Sequence, residues 1–378
     1  MFDLRQMSNP LLLKEMVKKT IDLGEKVLDK TKKRPVFMEV CGTHTVAFSR
    51  SGVRGLLEGI VDLRSGPGCP VCVTSQQDID RVLEISRIKG VTLATFGDML
   101  RVPGSSSSLE KERAMGADIR IIYSPLEAIK MAAENPKREI VLLGVGFETT
   151  APAIAVTLQE ARRKKVDNIS VYSLHKTMPN ALISLLEGKE FAIDALLLPG
   201  HVAAITGYRS FDFIASKYKI PAVVAGFEVF DIISAISSLL NMLLKGESRI
   251  ENLYSRIVTE TGNITAQKMV NEVFEQGDAI WRGLGEIAGS GLLLKSLYRE
   301  FETLVRFPIK ITEASPYASA CRCGDLLMGK IRPFQCNLFR KICTPNNPLG
   351  PCMVSAEGAC SVYYRYDVSD GESGYDER

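Results

Sequence analysis

Val36-Phe37-Met38-Glu39-Val40 runs directly into Cys41-Gly42-Thr43-His44-Thr45. The first five residues are too few for a helix and rich in β-formers, so they read as a strand ending in a small polar loop. The arrangement recurs where Ile140-Val141-Leu142-Leu143-Gly144-Val145 leads into Gly146-Phe147-Glu148-Thr149-Thr150. Three more pairs follow in the same order. Ile60-Val61-Asp62-Leu63 is matched by Ile169-Ser170-Val171-Tyr172, Val91-Thr92-Leu93-Ala94-Thr95 by Ala195-Leu196-Leu197-Leu198, and Ile119-Arg120-Ile121-Ile122-Tyr123 by Pro221-Ala222-Val223-Val224-Ala225. Helical-period stretches separate the runs. The fold class is therefore α/β, with two related open parallel-sheet lobes.

Working outward, residues 1–33 read as one amphipathic helix, stopped at Pro35. The first lobe spans 34–134 and holds the Cys41 loop and the Cys69/Cys72 loop. The second spans 135–245 and holds the Glu148, His175 and His201 loops. After Ala225 the pattern turns helical to about residue 306, and residues 332–360 are irregular and rich in Cys, Pro, Gly and Asn. Residues 246–366 are thus expected to form a small helical and irregular C-terminal domain. The polar stretch 367–378 has no apolar anchor and reads as a disordered tail.

Charge excludes some functions. With 47 Lys+Arg against 44 Asp+Glu the chain lacks the basic excess of a nucleic-acid binder. The one dense basic run, Arg162-Arg163-Lys164-Lys165, reads as the solvated end of a helix. The start has no apolar signal segment, and the greasy stretch 230–244 contains Asp231 and is too short to span a bilayer. A cytoplasmic protein without membrane contact is expected. There most thiols stay reduced, so nine cysteines point to metal ligands or redox groups.

Six of the nine are Cys321, Cys323, Cys336, Cys343, Cys352 and Cys360. Their segment has little apolar material, so a structural metal is a natural staple. It lacks the paired C-x2-C knuckles of zinc sites. Single cysteines in Gly- and Pro-rich loops suit a [4Fe–4S] cluster, whose ligands approach from four directions; zinc and a disulfide framework are the alternatives. Six exceed four, so an extended Cys321-Arg322-Cys323 could place one thiol on the cluster and one beside it.

Gly66-Pro67-Gly68-Cys69-Pro70-Val71-Cys72 is a C-x-x-C between a strand and a helix at 76–88. That is the setting of an exchange dithiol whose thiolate a helix N-terminus stabilises. A metal pair or a plain turn are the alternatives. Cys41 and His44, three residues apart at a strand end, could share a soft or borderline metal or act as nucleophile and base. All three histidines, His44, His175 and His201, fall in strand-end loops. Together with Glu148, Thr149 and Thr150 they are candidates for one cleft, although each histidine alone could be structural. The threonines and Glu148 could instead cap a helix.

These segments, with Pro199-Gly200-His201-Val202 and Cys352-Met353-Val354-Ser355-Ala356-Glu357-Gly358-Ala359-Cys360, resemble in content and order the signature motifs of the HypD family. The resemblance spans roughly residues 35–366. It implies a role in building the Fe(CN)2CO unit of [NiFe]-hydrogenases: a scaffold acting with the chaperone HypC, taking cyanide delivered by HypE and serving the hydrogenase large subunit indirectly. It implies two α/β domains and a [4Fe–4S] domain arranged as in ferredoxin–thioredoxin reductase. By the same resemblance Cys321, Cys336, Cys343 and Cys360 would hold the cluster. Cys323 and Cys352 would be the adjacent redox pair and Cys69 and Cys72 a second dithiol. Cys41 would hold the nascent iron, with His44 nearby. Such a protein is an assembly scaffold with redox activity rather than a turnover enzyme. The competing reading is a stand-alone iron–sulfur thiol–disulfide oxidoreductase, which would leave Cys41 and His44 idle. A nucleotide-binding enzyme has weak support, since no phosphate-loop motif follows the first strand.

Overall fold

The computed structural model describes residues 9–188, 193–309 and 320–367. In chain order the strands are β1 (Val36–Glu39), β2 (Asp62–Ser65), β3 (Val91–Thr95), β4 (Ile119–Ile121), β5 (Glu139–Gly144), β6 (Ile169–Ser173), β7 (Ala195–Pro199), β8 (Ala222–Ala225), β9 (Ile250–Asn252), β10 (Phe274–Trp281) and β11 (Gly285–Leu294). The first nine form two parallel sheets, ordered β2-β1-β7-β8-β9 and β4-β3-β5-β6. β1, β3, β7 and β8 are buried along their whole length, as parallel strands covered on both faces require.

The α/β class and the eight repeated runs are as the sequence predicts. Their partition is not. The expected lobes 34–134 and 135–245 each contribute strands to both sheets: β1 pairs with β7 (Phe37 opposite Ala195), and β3 pairs with β5 (Leu93 opposite Val141). Parallel partners are joined by long crossovers, so nothing local in a strand names its neighbour. One sheet is built from the continuous stretch 91–173 and the other from the chain on either side of it.

The helical expectation after Ala225 holds for Val229–Lys245 and Ile264–Val273. It fails at 274–294, where β10 and β11 form an antiparallel hairpin. Gly283 and Gly285 take φ of 82° and 79° in its turn, a conformation that favours glycine. The region 246–366 is therefore not one helical domain. β9 completes the five-stranded sheet, and the hairpin forms an isolated bridge to Lys176 and another to Thr74.

The predicted N-terminal helix is found at Pro10–Thr31, residues 1–8 lying outside the described residues. Asn9 caps it by accepting from Leu11 N at 3.0 Å, and Pro10 occupies the first turn, where a missing N–H costs nothing. It packs on Val229–Lys245, with Thr20 Oγ1 2.5 Å from Ser237 Oγ and Lys30 Nζ donating to Leu244 O at 2.6 Å. The greasy 230–244 stretch is thus a buried helix face. Among the described residues no helix is long and apolar enough to cross a membrane.

The C-terminal segment lies across both sheets' carboxyl ends as short turns (Cys323–Leu327, Pro333–Gln335, Pro351–Val354) followed by the helix Ala359–Tyr366. Phe339, Cys343, Met353 and Tyr363 give it a small core of its own. Residues 368–378, most of the expected tail, lie outside the described residues; Asp367 accepts from Ser49 Oγ at 3.2 Å.

Candidate functional site

The chain leaves β1 toward β2 on one side and β7 toward β8 on the other. Open parallel sheets take ligands at such a switch point, beyond the strands' carboxyl ends. Cys41 stands there at the head of the helix Gly42–Arg50, and His201 stands there on Gly200–Thr206. Gly42 N donates to Gly68 O at 3.0 Å, tying the Cys41 loop to the C-x-x-C loop. Gly68 passes so close that a Cβ on it would lie 2.7 Å from the Cys41 carbonyl carbon.

His44 is fully buried, and burial lowers its pKa to about 4, so the ring is neutral. Its Nε2 is 2.9 Å from Gly226 O. A carbonyl only accepts, so Nε2 carries the proton and Nδ1 is left as an unprotonated nitrogen without a partner. Phe227 lies against both histidines, its ring centroid 4.7 Å from that of His44 and 4.0 Å from that of His201. His201 is exposed; burial of the rest of its ring lowers its pKa, and Glu357 opposes that. Burial, reinforced by the charge of Glu357, pushes the Cys41 thiol up to about 11. Glu357 itself accepts from Thr43 Oγ1 at 2.7 Å. Cys41, His44 and His201 thus share one crevice, closed on one side by the C-terminal segment.

Cys69 and Cys72 are joined as a disulfide, their Cα atoms 5.2 Å apart. They sit on their own helical turn, Pro70–Val73, while the expected longer helix starts at Gln76 under its own cap, Ser75. The pair is therefore not at the N-terminus of that helix. Cys72 Sγ lies 3.9 Å from Pro351 O, one residue before Cys352. Arg282, in the hairpin turn, holds the end of this loop by donating from Nε to Thr74 O at 2.9 Å.

Each of the six C-terminal cysteines interacts electrostatically with at least one other, Cys336 with Cys343 and Cys360. Cys321 and Cys323 are not splayed by an extended backbone, because Cys323 opens a helical turn. Their thiols hydrogen-bond to each other, and Cys323 bonds on to Cys352. The bond to Cys323 and then burial raise the Cys321 pKa; burial raises that of Cys360 and Cys343. Two features favour thiolates here. Leu349 N donates to Cys343 Sγ at 3.4 Å, and the charge of Arg282 acts on Cys321, Cys323 and Cys352. Gly350 matters by what it lacks, since a Cβ there would occupy the place of the Cys321 sulfur. Among the described residues no three His, Cys, Asp or Glu side chains form a set that could hold a single metal ion. The six thiols offer sulfur donors alone and are spread over several turns.

Glu148, Thr149, Thr150 and His175 belong to the other sheet. No hydrogen bond, ion pair or ring contact joins them to Cys41, His44 or His201 among the described residues. Glu148 is buried, and its Oε1 accepts from Met178 N at 2.8 Å, capping the helix Met178–Glu187. Thr150 stands at the N-cap of Ala151–Arg163 but turns its hydroxyl back to Phe147 O at 3.2 Å; Thr149 is exposed. His175 is buried edge-on to Phe274 with Nδ1 3.1 Å from Ser173 Oγ. The single cleft expected from sequence is thus two regions. The C-terminal segment touches the crevices of both sheets: Ser355 Oγ donates to Asp98 Oδ2 at 3.1 Å beyond β3, and Glu357 reaches the Cys41 loop.

Sequence reasoning did not single out Glu357, Arg282 or Phe227. An acid between two clustered cysteines was a usable signal for Glu357. Arg282 and Phe227 had none, because their roles depend on the hairpin and on β8.

Two parallel sheets bridged at their carboxyl ends by a cysteine-rich segment define an α/β protein with its rare residues gathered at one edge. The HypD family model, described as "Hydrogenase formation hypA family", matches residues 15–367. The chain is 43% identical over 351 residues to hydrogenase maturation factor HypD of Escherichia coli K12, covering 92% of this chain and 93% of that one. It is 40% identical to HypD of Rhodobacter capsulatus (95% and 96% covered) and 42% identical to that of Cupriavidus necator (87% and 89%). The chain belongs to the HypD family of hydrogenase maturation factors.

Proposed function

We propose that this chain is the scaffold on which, together with a HypC-type chaperone, the Fe(CN)2CO unit of a [NiFe]-hydrogenase is assembled before transfer to the large subunit. Cys41 holds the iron, which is cargo here. Low-spin iron carrying cyanide and CO is soft, and a buried thiolate suits it. The iron's positive charge offsets the desolvation that keeps the free thiol protonated. His44 orients the loop through Gly226, and its bare Nδ1 is available to the same metal or to a proton. Glu357 holds Thr43 and fixes how the C-terminal segment covers the crevice. Cyanide arrives from a HypE-type donor.

Cys321, Cys336, Cys343 and Cys360 would hold a [4Fe–4S] cluster, which supplies single electrons when bound. Cys323 and Cys352, already in contact, form the neighbouring dithiol. Cys72 lies beside Pro351, so Cys69 and Cys72 can exchange with that pair. Reduction of the Cys69–Cys72 disulfide takes two electrons and two protons and leaves two thiols; its return to the disulfide gives the two electrons back to the site. The cytoplasm is the compartment that suits this chemistry.

The observation that carries the reading is the position of Cys41: at the switch point, bonded through its loop to Gly68 and covered by Glu357. The competing oxidoreductase reading draws on the Cys72–Pro351 contact alone and needs nothing from Cys41. Cys41→Ala separates the two. In the scaffold reading it abolishes the CN and CO infrared bands of the HypC-bound complex and leaves the iron–sulfur absorbance unchanged. Full hydrogenase activity in a deletion strain complemented with Cys41→Ala, with unchanged bands, would remove the scaffold assignment.

A further inference from the structure

The turn that joins β10 to β11, Arg282-Gly283-Leu284, lies between the two cysteine regions. On one side it is tied to the end of the Cys69/Cys72 loop. Arg282 N donates to Val73 O at 2.8 Å, its Nε donates to Thr74 O at 2.9 Å, and Trp281 forms an isolated bridge with Thr74. On the other side it presses on the C-terminal segment. A Cβ on Gly283 would lie 2.3 Å from the Cα of Gly324, the residue after Cys323. Arg282 is thus held in a fixed place next to the turn of Cys323, whose thiol bonds to Cys321 and Cys352.

The guanidinium is only partly used by the loop. Nη1 donates to Gln76 Oε1 at 3.2 Å, but Nη2 is buried and has no partner. The two acceptors the guanidinium does have are neutral, and among the described residues no Asp or Glu forms an ion pair with it. A buried donor without an acceptor and a cation without a counter-charge are both costly. Two bonds to neutral oxygens explain a long donor side chain at this position; they do not explain a permanent charge. That charge does reach sulfur. It acts on Cys321, Cys323 and Cys352 and favours the anionic form of each.

We propose that Arg282 is the counter-charge for the anionic sulfur gathered by the C-terminal cysteines and that it sets the reduction potential of the iron–sulfur site there. The inference rests on the cluster reading above and adds to it the residue that tunes the site. Reduction brings one electron to the site, and hence one more negative charge; an external one-electron reductant supplies it. A guanidinium stays protonated throughout, so it stabilises the reduced form more than the oxidised one and raises the potential. Burial of the site keeps solvent from screening the effect away.

The test uses the full chain, reconstituted anaerobically with iron and sulfide and titrated with dithionite through redox mediators. The reduced fraction is read from visible bleaching and from the electron paramagnetic resonance of the reduced cluster. At a given poise Arg282→Gln should lower the ratio of reduced to oxidised protein about tenfold, which is about 59 mV for a one-electron couple. Arg282→Lys keeps the charge but cannot make the paired Nε and Nη1 bonds; it should stay within about threefold of the wild type. A wild-type potential in an Arg282→Gln protein that retains its cluster overturns this inference and leaves the cluster reading standing. Arg282→Lys falling as far as Arg282→Gln also overturns it, since the residue would then be a tie for the loop and nothing more. A wild type that takes up no iron–sulfur cluster overturns the cluster reading, and this inference with it. If Arg282→Gln does not fold or holds no cluster, Gln76→Glu decides. It keeps an oxygen for Nη1, adds a counter-charge and should lower the ratio about threefold; an unchanged potential overturns the proposal.

Discussion

Replacing Arg54 by Leu should cost more stability than any surface substitution in this chain. Arg54 follows the helix Gly42–Arg50, and its guanidinium joins three parts of the fold. It donates to Glu39 Oε1 on β1 at 2.8 Å, to Ser49 Oγ at 3.2 Å and to Leu63 O on β2 at 3.3 Å. It also reaches Tyr363 of the C-terminal helix, donating to the hydroxyl at 2.7 Å and lying 4.6 Å from the ring centroid. The Glu39 side chain is fully buried and would keep only Ser65 as a donor, at 2.8 Å. Removing one partner of a buried pair leaves an uncompensated charge, at about 3–5 kcal/mol. That is a large part of the roughly 5–15 kcal/mol that holds a domain folded. Urea unfolding followed by far-UV circular dichroism reads the loss. Hydrogen exchange should show the helix Ala359–Tyr366 loosening first, since Tyr363 loses its tie to the sheet. The double variant Arg54→Leu/Glu39→Gln should recover more than half of the loss, because the fully buried Glu39 charge is gone. A loss under about 1 kcal/mol, or a double variant as poor as the sum of the singles, refutes the argument.

Cys336→Ala and Cys343→Ala should each lose iron–sulfur absorbance and destabilise the C-terminal segment, whereas Cys69→Ala and Cys72→Ala should keep the absorbance and block maturation; loss of the chromophore in Cys69→Ala would merge two sites held here to be separate. Gly68→Ala puts a methyl group into the Cys41 backbone and should cost about 1–3 kcal/mol by overpacking while displacing the Cys41 loop; wild-type unfolding midpoint and maturation activity together would count against it. Burial holds the Glu148 carboxyl at about 7 in the folded state against an ordinary 4.5, so its protonated form stabilises the fold below about pH 4.5 and that contribution fades as pH rises to about 7. Glu148→Gln should therefore gain on the wild type by up to about 3 kcal/mol between those limits and then level off; a difference that does not change with pH, from urea midpoints measured across the range, would count against the burial argument.

The eight repeated strands could be read from sequence because each is a short apolar run closed by a loop with distinctive chemistry. What could not be read is which strands pair. Val36-Phe37-Met38-Glu39 fits equally well beside any other buried parallel strand, and the choice of β7 is made by packing over the whole molecule. The hairpin at 274–294 was misread because Phe274, Ile280, Trp281, Ile287 and Leu292 mix alternating and helical spacing. Its glycines, from Gly277 to Gly291, were the better guide. At the site, Cys41, His44 and His201 announced themselves as rare residues in strand-end loops. Glu148 and His175 announced themselves in the same way yet belong to the other sheet, because the repeat does not tell which sheet a run will join. Glu357 became legible only once the C-terminal segment was seen lying on the Cys41 loop.

The interleaved topology also dictates when the chain can become competent. The sheet of β3 to β6 comes from one continuous stretch and can close as soon as that stretch has emerged during synthesis. β1 must wait for β7, and the Cys41 crevice must wait longer still, for Gly226 to hold His44 and for Glu357 to hold Thr43. A nascent or truncated chain therefore carries the Cys41 thiol but not its enclosure. Any chain ending short of residue 357 lacks the contact that closes the crevice over the Cys41 loop.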